Sequence, residues 1–130
     1  MIVVDASAIC AILLDEDDAA SIADTLSNVN GAFVSPLQVW EASVAVEGRL
    51  AVFGLRQVEL FLSRARVDVA VVDLATTVVA FSAWQRFGKG RHPARLNMGD
   101  CFAYALAKTR DLPLLYKGGD FALTDVKRAL

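Results

Sequence analysis

A chain of 130 residues, of which 55% are hydrophobic and 22% charged, can bury enough apolar surface to form one domain with its own core. This composition excludes a disordered chain, and no uncharged apolar run approaches the roughly 18 residues that a membrane-spanning helix needs. The net charge of −2 hides an asymmetry, because residues 1–48 carry eight acids and no Lys or Arg, whereas residues 49–130 carry all thirteen bases. The overall balance does not indicate a nucleic-acid binder, yet one folded domain could present an acidic site beside a basic surface.

The start of the chain does not resemble a secretion signal. Met1 is followed at once by an apolar run and Asp5, and the first basic residue anywhere is Arg49. We therefore expect a cytoplasmic protein with no membrane partner. Two cysteines and one histidine are too few for a convincing zinc site, and we expect both thiols to stay reduced and to pack as apolar groups.

The first half of the chain alternates short apolar runs with helical patterns. Its predicted elements are a strand at 2–4, a helix from 8 to about 14, a helix at 19–27, a strand at 32–35 and a helix from 36 to about 47. Ser7 is a suitable N-cap for the first helix, and Pro36 suits the first turn of the third. Gly48 is expected to end that third helix.

The second half continues the same alternation. Its predicted elements are a helix from 55 to about 65, a strand around 69–72, a helix at 75–87, a polar basic loop at 88–95, a helix at 97–110 and a strand at 113–116. Strands alternating with helices predict an α/β fold with a short, mostly parallel central sheet flanked by helices. We find no linker or internal repeat, so residues 1–130 are expected to form a single domain.

Four acids stand out by their positions. Asp5 ends the first strand, and Asp120 follows the last strand through a Gly-Gly turn, so both can reach the carboxyl edge of the sheet, where ligands bind in open α/β folds. Asp100 lies in the first turn of its helix, where the helix dipole favours a carboxylate. Glu41 lies four residues after Leu37 and three before Val44, on the face expected to meet the core.

Each acid also has a purely structural explanation as a cap, a turn residue or a complement to a helix dipole. Glu41 is the hardest to explain in that way, because an acid on an apolar face needs a partner or must lose its charge. If all four converge, a metal ion is the natural compensating charge. Clustered carboxylates with few histidines or thiols select hard cations such as Mg²⁺ or Mn²⁺.

Four segments of the sequence add to this interpretation. They are VVDASA at 3–8, PLQVWEA at 36–42, LNMGDCFAYALA at 96–107 and LPLLYKGGDF at 112–121, with Thr124-Asp125 after the last. In this order, and over nearly the whole chain, the segments resemble the PIN-domain ribonucleases of the VapC toxin type. The Gly-Asp-Cys-Phe-Ala-Tyr-Ala-Leu-Ala block at 99–107 is the most specific part of the resemblance.

The resemblance implies a PIN-like domain whose acidic quartet is Asp5, Glu41, Asp100 and Asp120, as both catalytic and metal-binding residues. Asp125 is also close to the family pattern and stays open as a contributor. The family implies a Mg²⁺-dependent endoribonuclease, with Mn²⁺ as a possible substitute, that is the toxin of a type II toxin–antitoxin pair. It further implies an RNA substrate, a homodimer, and inhibition by a protein antitoxin of the VapB type. Ser7 matches a hydroxyl residue that the family often keeps beside the first acid.

Other features are expected to be bystanders. The acidic run at 15–18 is interpreted as a solvated turn, and the basic loop at 89–95 either contacts the RNA backbone or is solvated. Tyr104 is expected beside Asp100. Four aromatic residues at helical positions are assigned to the core: Trp40, Phe81, Trp84 and Phe87.

Two other functions remain open at this point. One is a phosphohydrolase with Asp5 as nucleophile, although that chemistry usually places a second acid where this chain has Ser7. The other is a non-catalytic binding module with an acidic pocket.

Overall fold

A computed structural model describes residues 1–130 as a parallel sheet with helices on both faces. The strands are β1 (Ile2–Val4), β2 (Ala32–Val34), β3 (Val67–Val69) and β4 (Leu114–Leu115). The helices are α1 (Ala6–Leu13), α2 (Ala19–Ser27), α3 (Pro36–Leu50), α4 (Gly54–Ala65), α5 (Leu74–Phe87) and α6 (Met98–Arg110), and a single 3₁₀ turn covers Phe121–Leu123. The α/β fold predicted from the alternation of patterns is confirmed.

The four strands lie in the order β3-β2-β1-β4, and all three pairings are parallel. β1 is central, with Val3 opposite Phe33 of β2 and opposite Leu114 of β4. All three residues of β1 are buried, as expected for a short β-branched strand covered on both faces. The carboxyl end of β1 therefore lies in the middle of the sheet edge, between the segments that follow β2 and β4.

The side chains of β1 alternate between two cores, because successive residues of a strand point to opposite faces of the sheet. Ile2 and Val4 pack into the core made with α1 to α4. Val3 packs into the core made with α5 and α6, whose apolar centre includes Leu106 and Tyr104. The helices are thus divided between the two faces, and the second helix pair is built largely on small side chains.

Three elements differ from their predicted bounds by more than one residue. α1 begins at Ala6, because the N-cap is Asp5, whose carboxylate accepts a hydrogen bond from the Ser7 backbone N–H; Ser7 lies inside the helix. α3 continues through Gly48 to Leu50 and ends where Ala51 adopts a left-handed conformation. β3 occupies Val67–Val69 rather than 69–72, because its pairing with β2 begins at Val67, the buried residue of this edge strand.

The assignment of four aromatic residues to the core is wrong for three of them. Trp40 is 68% exposed, Phe81 57% and Trp84 37%, and only Phe87 is buried. α3 and α5 instead pack through other residues, which for α5 are Ala80 and Ala83 together with Phe87. None of the helices has the length and apolar character required to cross a membrane. Both cysteines are unpaired, and burial raises the pKa of each to about 11.

Candidate active site

The four predicted acids lie at the carboxyl edge of the sheet. Asp5 directly follows β1, Glu41 lies on α3, which follows β2, Asp100 is in the first turn of α6, and Asp120 comes after β4. Their charges reach one another, because Asp5, Glu41 and Asp120 all raise the pKa of Asp100. None of the four pairs with a Lys or Arg. The structure therefore brings together carboxylates that repel one another and have no cationic side chain to offset them.

Asp5 is the most deeply buried of the four, with only 3% of its surface exposed. Its Oδ2 accepts two hydrogen bonds from Ser7, one from the backbone N–H at 3.0 Å and one from the hydroxyl at 2.6 Å. Its Oδ1 is equally buried and has no hydrogen-bond partner. Burial raises the pKa of Asp5, and the hydrogen bonds from Ser7 oppose that shift.

Ser7 connects the first and last strands. Its Oγ accepts a hydrogen bond of 3.0 Å from the backbone N–H of Lys117, just after β4, so its own proton is directed to Asp5. The Lys117 ammonium lies 2.8 Å from Glu16 and 3.2 Å from Asp18. The interpretation of 15–18 as a solvated turn is therefore wrong for these two half-buried acids, which hold the segment after β4.

Glu41 lies at the edge of the buried face of α3 rather than in the middle of that face. That face is formed by Gln38, Ala42 and Val46, whereas Val44 is 54% exposed, so the predicted helix face was rotated from the real one. The Oε2 of Glu41 is buried without a hydrogen-bond partner. Burial raises the pKa of Glu41, and the negative charge of Asp5 raises it further.

Asp100 has a structural role as well as a place in the cluster. It completes a capping box with Asn97: its Oδ2 accepts from the Asn97 backbone N–H at 3.0 Å, and its own N–H donates to Asn97 Oδ1 at 2.9 Å. Burial raises the pKa of Asp100 to about 7; the hydrogen bond from Asn97 opposes the shift, and the three neighbouring carboxylates add to it. One carboxylate oxygen thus fixes the helix start, and the other is not used by the cap.

The contact between α3 and the start of α6 involves residues that the sequence analysis did not single out. Gln38 is fully buried, and its side-chain N–H donates to the carbonyl of Gly99 at 2.6 Å. A Cβ on Gly99 would lie 2.5 Å from Glu41 Oε2, so the absence of a side chain there makes room for the carboxylate. The available signal was a polar residue in phase with the buried Ala42 and Val46.

Asp120 is exposed at the rim, and its side chain makes no capping hydrogen bond. Asp125 is held elsewhere. It accepts a 2.5 Å hydrogen bond from the Tyr104 hydroxyl and pairs with Lys108 at 3.3 Å and Arg86 at 3.6 Å. These interactions, led by the Tyr104 hydrogen bond, lower the pKa of Asp125. Tyr104 thus pairs with Asp125 rather than Asp100, and the structure favours Asp120 over Asp125 as the fourth member of the cluster.

Two features of this edge bear on whether the residues fit a hard divalent cation. Asp5 Oδ1 and Glu41 Oε2 are buried oxygens without partners, which cost free energy unless something positive or hydrogen-bonding reaches them. No three acidic, His or Cys side chains converge tightly enough to form a ready-made cage. The oxygen-only donor set fits Mg²⁺ or Mn²⁺, which keep part of their hydration shell and need few protein ligands.

The basic loop that precedes α6 is partly engaged in its own structure. The guanidinium of Arg91 lies 4.2 Å from the Trp84 ring centroid. His92 Nδ1 accepts a hydrogen bond from the Ala94 N–H, and its ring packs edge-on against Phe87. His92 therefore has a structural role in this loop.

The fold and the site together define a class of protein. It is an α/β protein with a short parallel sheet, whose candidate site at the carboxyl edge of that sheet is built from carboxylates rather than from His or Cys. The sequence model of the PIN domain family matches residues 2–127, and the chain belongs to this family. It is 44% identical over 124 residues to "Ribonuclease VapC" of Mycolicibacterium smegmatis, covering 95% of this chain and 96% of the relative. It is 42% identical over 129 residues to "Ribonuclease VapC28" of Mycobacterium tuberculosis, covering 98% and 97%.

The fold is also similar to a solved structure. VapC20 of Mycobacterium tuberculosis, described as a sarcin–ricin loop cleaving toxin, superposes with a TM-score of 0.77 over 98% of this chain and 99% of that chain. The two sequences are only 15% identical, so this likeness shows the PIN fold alone.

Proposed function

We propose that this protein is a divalent-metal-dependent endoribonuclease and the toxin component of a type II toxin–antitoxin system. The observation that carries the proposal is the pair of buried, unpartnered oxygens, Asp5 Oδ1 and Glu41 Oε2, within a cluster of four carboxylates, none of which forms a salt bridge. Burying carboxylate oxygens without a partner costs free energy, and a cation bound between them would offset that cost. The names of its relatives, which are VapC ribonucleases, support RNA as the substrate.

The residues divide the work as follows. Asp5 and Glu41 would hold Mg²⁺ through their free oxygens, Asp100 through the oxygen that the cap does not use, and Asp120 from the exposed rim. When bound, Mg²⁺ would supply the charge that neutralises a scissile phosphate and lowers the pKa of a water nucleophile. Mn²⁺ shares this preference for oxygen ligands and should substitute for it.

Ser7 serves as a positioning residue in this scheme. Its hydroxyl proton goes to Asp5 Oδ2, and its oxygen accepts from Lys117, so the unpartnered Oδ1 of Asp5 is kept turned away from Ser7. The position two residues after Asp5 therefore holds a group that orients the first acid. A phosphohydrolase with Asp5 as nucleophile would need a second acid there, so the structure favours hydrolysis by water.

The proposal includes the partners expected of such a toxin. They are an RNA substrate, a protein antitoxin of the VapB type that blocks the acidic site, and a second copy of the chain in a homodimer. The relatives' names support the first two only through the VapC designation. The cytoplasmic location expected from the sequence stays a prediction.

The decisive experiment is cleavage of end-labelled RNA by the purified protein in Mg²⁺, Mn²⁺ or EDTA. We expect internal cuts with either metal and none in EDTA. Asp5→Asn and Asp100→Asn should lower the rate by orders of magnitude, whereas Asp17→Asn, an exposed acid outside the cluster, should leave it unchanged. RNA that is bound but never cut would indicate a binding module. Wild-type rates from either cluster variant at saturating Mg²⁺ would refute the site.

A further inference from the structure

A cavity of about 390 Å³ opens directly beside the acidic site. It is lined by Leu37, Trp40, Glu41, Asn97, Met98 and Gly99. Glu41 and Gly99 belong to the acidic site as well, because the Glu41 carboxylate lies against the Gly99 backbone. The cavity and the carboxylate cluster therefore share a wall, and a strand of RNA whose phosphate lies at the carboxylates must place a neighbouring nucleotide at or near the cavity.

Trp40 differs from the other tryptophan in that no aromatic ring or cationic side chain lies against its ring. It is 68% exposed, and it takes part in none of the aromatic or cation–π contacts of the structure. Trp84, in contrast, is covered by Arg91 and has the Phe81 ring 5.7 Å away. Met98, another lining residue of the cavity, is also 68% exposed. An indole and a thioether are thus both accessible to solvent at the cavity next to the candidate site.

The chemistry of the cavity suits an uncharged ring. No Lys or Arg lines it, and the carboxylate of Glu41 does, so a phosphate is disfavoured inside it. The Nδ2 group of Asn97 donates no hydrogen bond within the protein, because only Oδ1 is used by the helix cap, and it is available to the edge of a base. Unpaired RNA bases are typically recognised by stacking on aromatic side chains together with hydrogen bonds to their edges.

Building on the proposed ribonuclease activity, we propose that Trp40 and Met98 form a subsite that stacks one unpaired nucleobase of the RNA next to the phosphate addressed by the carboxylates. Stacking on an indole is tolerant of sequence, because every base has a π face, so Trp40 supplies affinity and placement. The Asn97 amide supplies the polar contact.

The first test measures binding apart from turnover. In Trp84→Phe, Trp40 is the single tryptophan, and a single-stranded oligoribonucleotide is added with Ca²⁺ in place of Mg²⁺, with a gel to verify that the RNA stays intact. Saturable quenching of the Trp40 emission is expected. The matched protein is Trp40→Phe, in which Trp84 is the remaining fluorophore. Trp84 lines a neighbouring cavity that shares Asn97 and Met98 with the subsite, but Arg91 covers its ring, so its quenching should be clearly weaker than that of Trp40. Unquenched Trp40 emission at RNA concentrations that saturate the protein would overturn the subsite.

The second test separates binding from chemistry. Trp40→Ala should raise KM for RNA roughly 5- to 100-fold, the loss expected for one stacked base, with a much smaller change in kcat. Trp40→Phe should retain most of the affinity, whereas Trp40→Leu, which is apolar but not aromatic, should not. Phe53→Ala is the control, because Phe53 is equally exposed at 68% and does not line the cavity.

The third test assigns the effect to a base. Once the wild-type cut has been mapped, oligoribonucleotides lacking one base beside it are compared; one abasic position should weaken binding to the wild type and have little further effect on Trp40→Ala. Additive losses at every position would refute the contact.

If Trp40→Ala changes the sedimentation of the protein and leaves RNA affinity unchanged, the surface belongs to a second copy and the subsite is rejected. If the wild type cuts no RNA, the ribonuclease proposal fails, and quenching of Trp40 still decides the subsite.

Discussion

Asp5, Glu41 and Asp100, at the carboxyl edge of the sheet, all have pKa values above the ordinary value of a carboxyl group. Burial is the main reason that all three pKa values are raised, and the charges of neighbouring acids add to the effect at Glu41 and Asp100. A structural carboxylate is normally found with its pKa lowered by hydrogen bonds or cations, as at Asp125. Ionising these acids in the folded protein therefore costs free energy, and that cost has measurable consequences.

The first prediction concerns the pH dependence of stability without metal. In EDTA the free energy of unfolding should fall as the pH rises from 5 to 8. The folded state holds protons on these acids, with Asp100 titrating near pH 7, at pH values where the unfolded chain has released them, so stability falls with increasing pH. Solvent screening at the half-buried Asp100 reduces the effect, and a loss of about 1.4 kcal/mol, one pKa unit, is expected.

Urea unfolding in EDTA at pH 5, 6, 7 and 8 measures this dependence. Excess Mg²⁺ should flatten or reverse it at the upper end, because ionised carboxylates are then stabilised by the bound cation. A free energy of unfolding that is constant or rises from pH 5 to 8 in EDTA would contradict the raised pKa values.

The second prediction concerns Asp100→Asn, which keeps the volume of the side chain. Its oxygen can still accept from the Asn97 N–H, so the capping box persists, while one repelling charge is lost. In EDTA at pH 8 the variant should be as stable as the wild type or more stable by up to about 1 kcal/mol. In millimolar Mg²⁺ the order should reverse, because the wild type binds the metal more tightly.

Thermal unfolding of both proteins in each buffer tests this crossing. A variant that is less stable by the same margin with and without Mg²⁺ would show that Asp100 supports only the helix start. Asp17→Asn, which keeps all four acids of the cluster, serves as the control and should follow the wild type in both buffers.

Most acids of the candidate site could be predicted from the sequence, because they follow strands or lie in the first turn of a helix. The ends of strands and the starts of helices can be recognised from the local sequence pattern. The order β1-Asp5 and the Gly-Asp pair at the start of α6 are of this kind. The role of Gln38 could not be predicted, because its partner is the Gly99 carbonyl 61 residues away. The exposure of Trp40 was missed for a related reason, since α3 buries Gln38, Ala42 and Val46, and a polar residue in that row conceals the true face.

At the scale of elements, the approach of α3 to the start of α6 determines the shape of the site. Gly99 lies where α6 passes the Glu41 carboxylate, and Gln38 holds the two helices together through the Gly99 carbonyl. Both contacts are made by Gly99. The spacing between these helices therefore controls where the free oxygen of Glu41 can lie.

The third prediction uses this contact. In Gly99→Ala the new Cβ would lie 2.5 Å from Glu41 Oε2, so the flexible end of Glu41 must move, and RNA cleavage should fall at least tenfold while the fold persists. Gly48→Ala is the matched control, since it also replaces a helical glycine and its Cβ meets nothing within 4 Å. That control should gain up to about 1 kcal/mol from helix propensity and keep full activity.

Cleavage rates and circular dichroism of the two variants decide between the outcomes. Equal, wild-type activity in both would show that the position of Glu41 does not matter to the reaction. Comparable losses in both would point to a general intolerance of these helices to alanine.

The elements themselves were largely predictable, because β-branched runs and helical periodicity alternate cleanly along the chain. α2, at Ala19–Ser27, has the predicted bounds. The errors fall where a tertiary contact outweighs local preference. Gly48 lies within α3, which ends two residues later at Leu50, and the N-terminal boundary of α1 is set by Asp5, which caps the helix and belongs to the acidic cluster at the same time.

At the scale of the whole molecule, α5 presents an apolar stripe to solvent. Leu74, Val78 and Phe81 follow one another at helical spacing and are 78%, 61% and 57% exposed, and Val71 just before the helix is 81% exposed. Contiguous exposed apolar side chains of this kind are typical of interfaces. A symmetric dimer would pair the same patch on both copies, which suits the homodimer implied by the family resemblance.

The fourth prediction is that this stripe forms the dimer contact. Val78→Glu places a charge in the middle of the stripe, where two copies would bring like charges together, and should convert a dimer to monomers in sedimentation velocity. Glu59→Gln, a change of one charge on α4, is the control and should not alter the assembly. A monomeric wild type, or a dimeric Val78→Glu, would exclude this face as the contact.

The hydrogen bond between Ser7 and Lys117 joins residues that are 110 positions apart. Asp5 leaves the ribosome well before β4 and Lys117, which pair with β1 and orient Ser7. A growing chain that has not yet reached β4 thus contains the first acid without the strand that sets it in place. On the proposed function, such a chain would remain harmless to the RNA of the ribosome that is making it, and nuclease activity would begin only after the segment through Lys117 has been made and has folded.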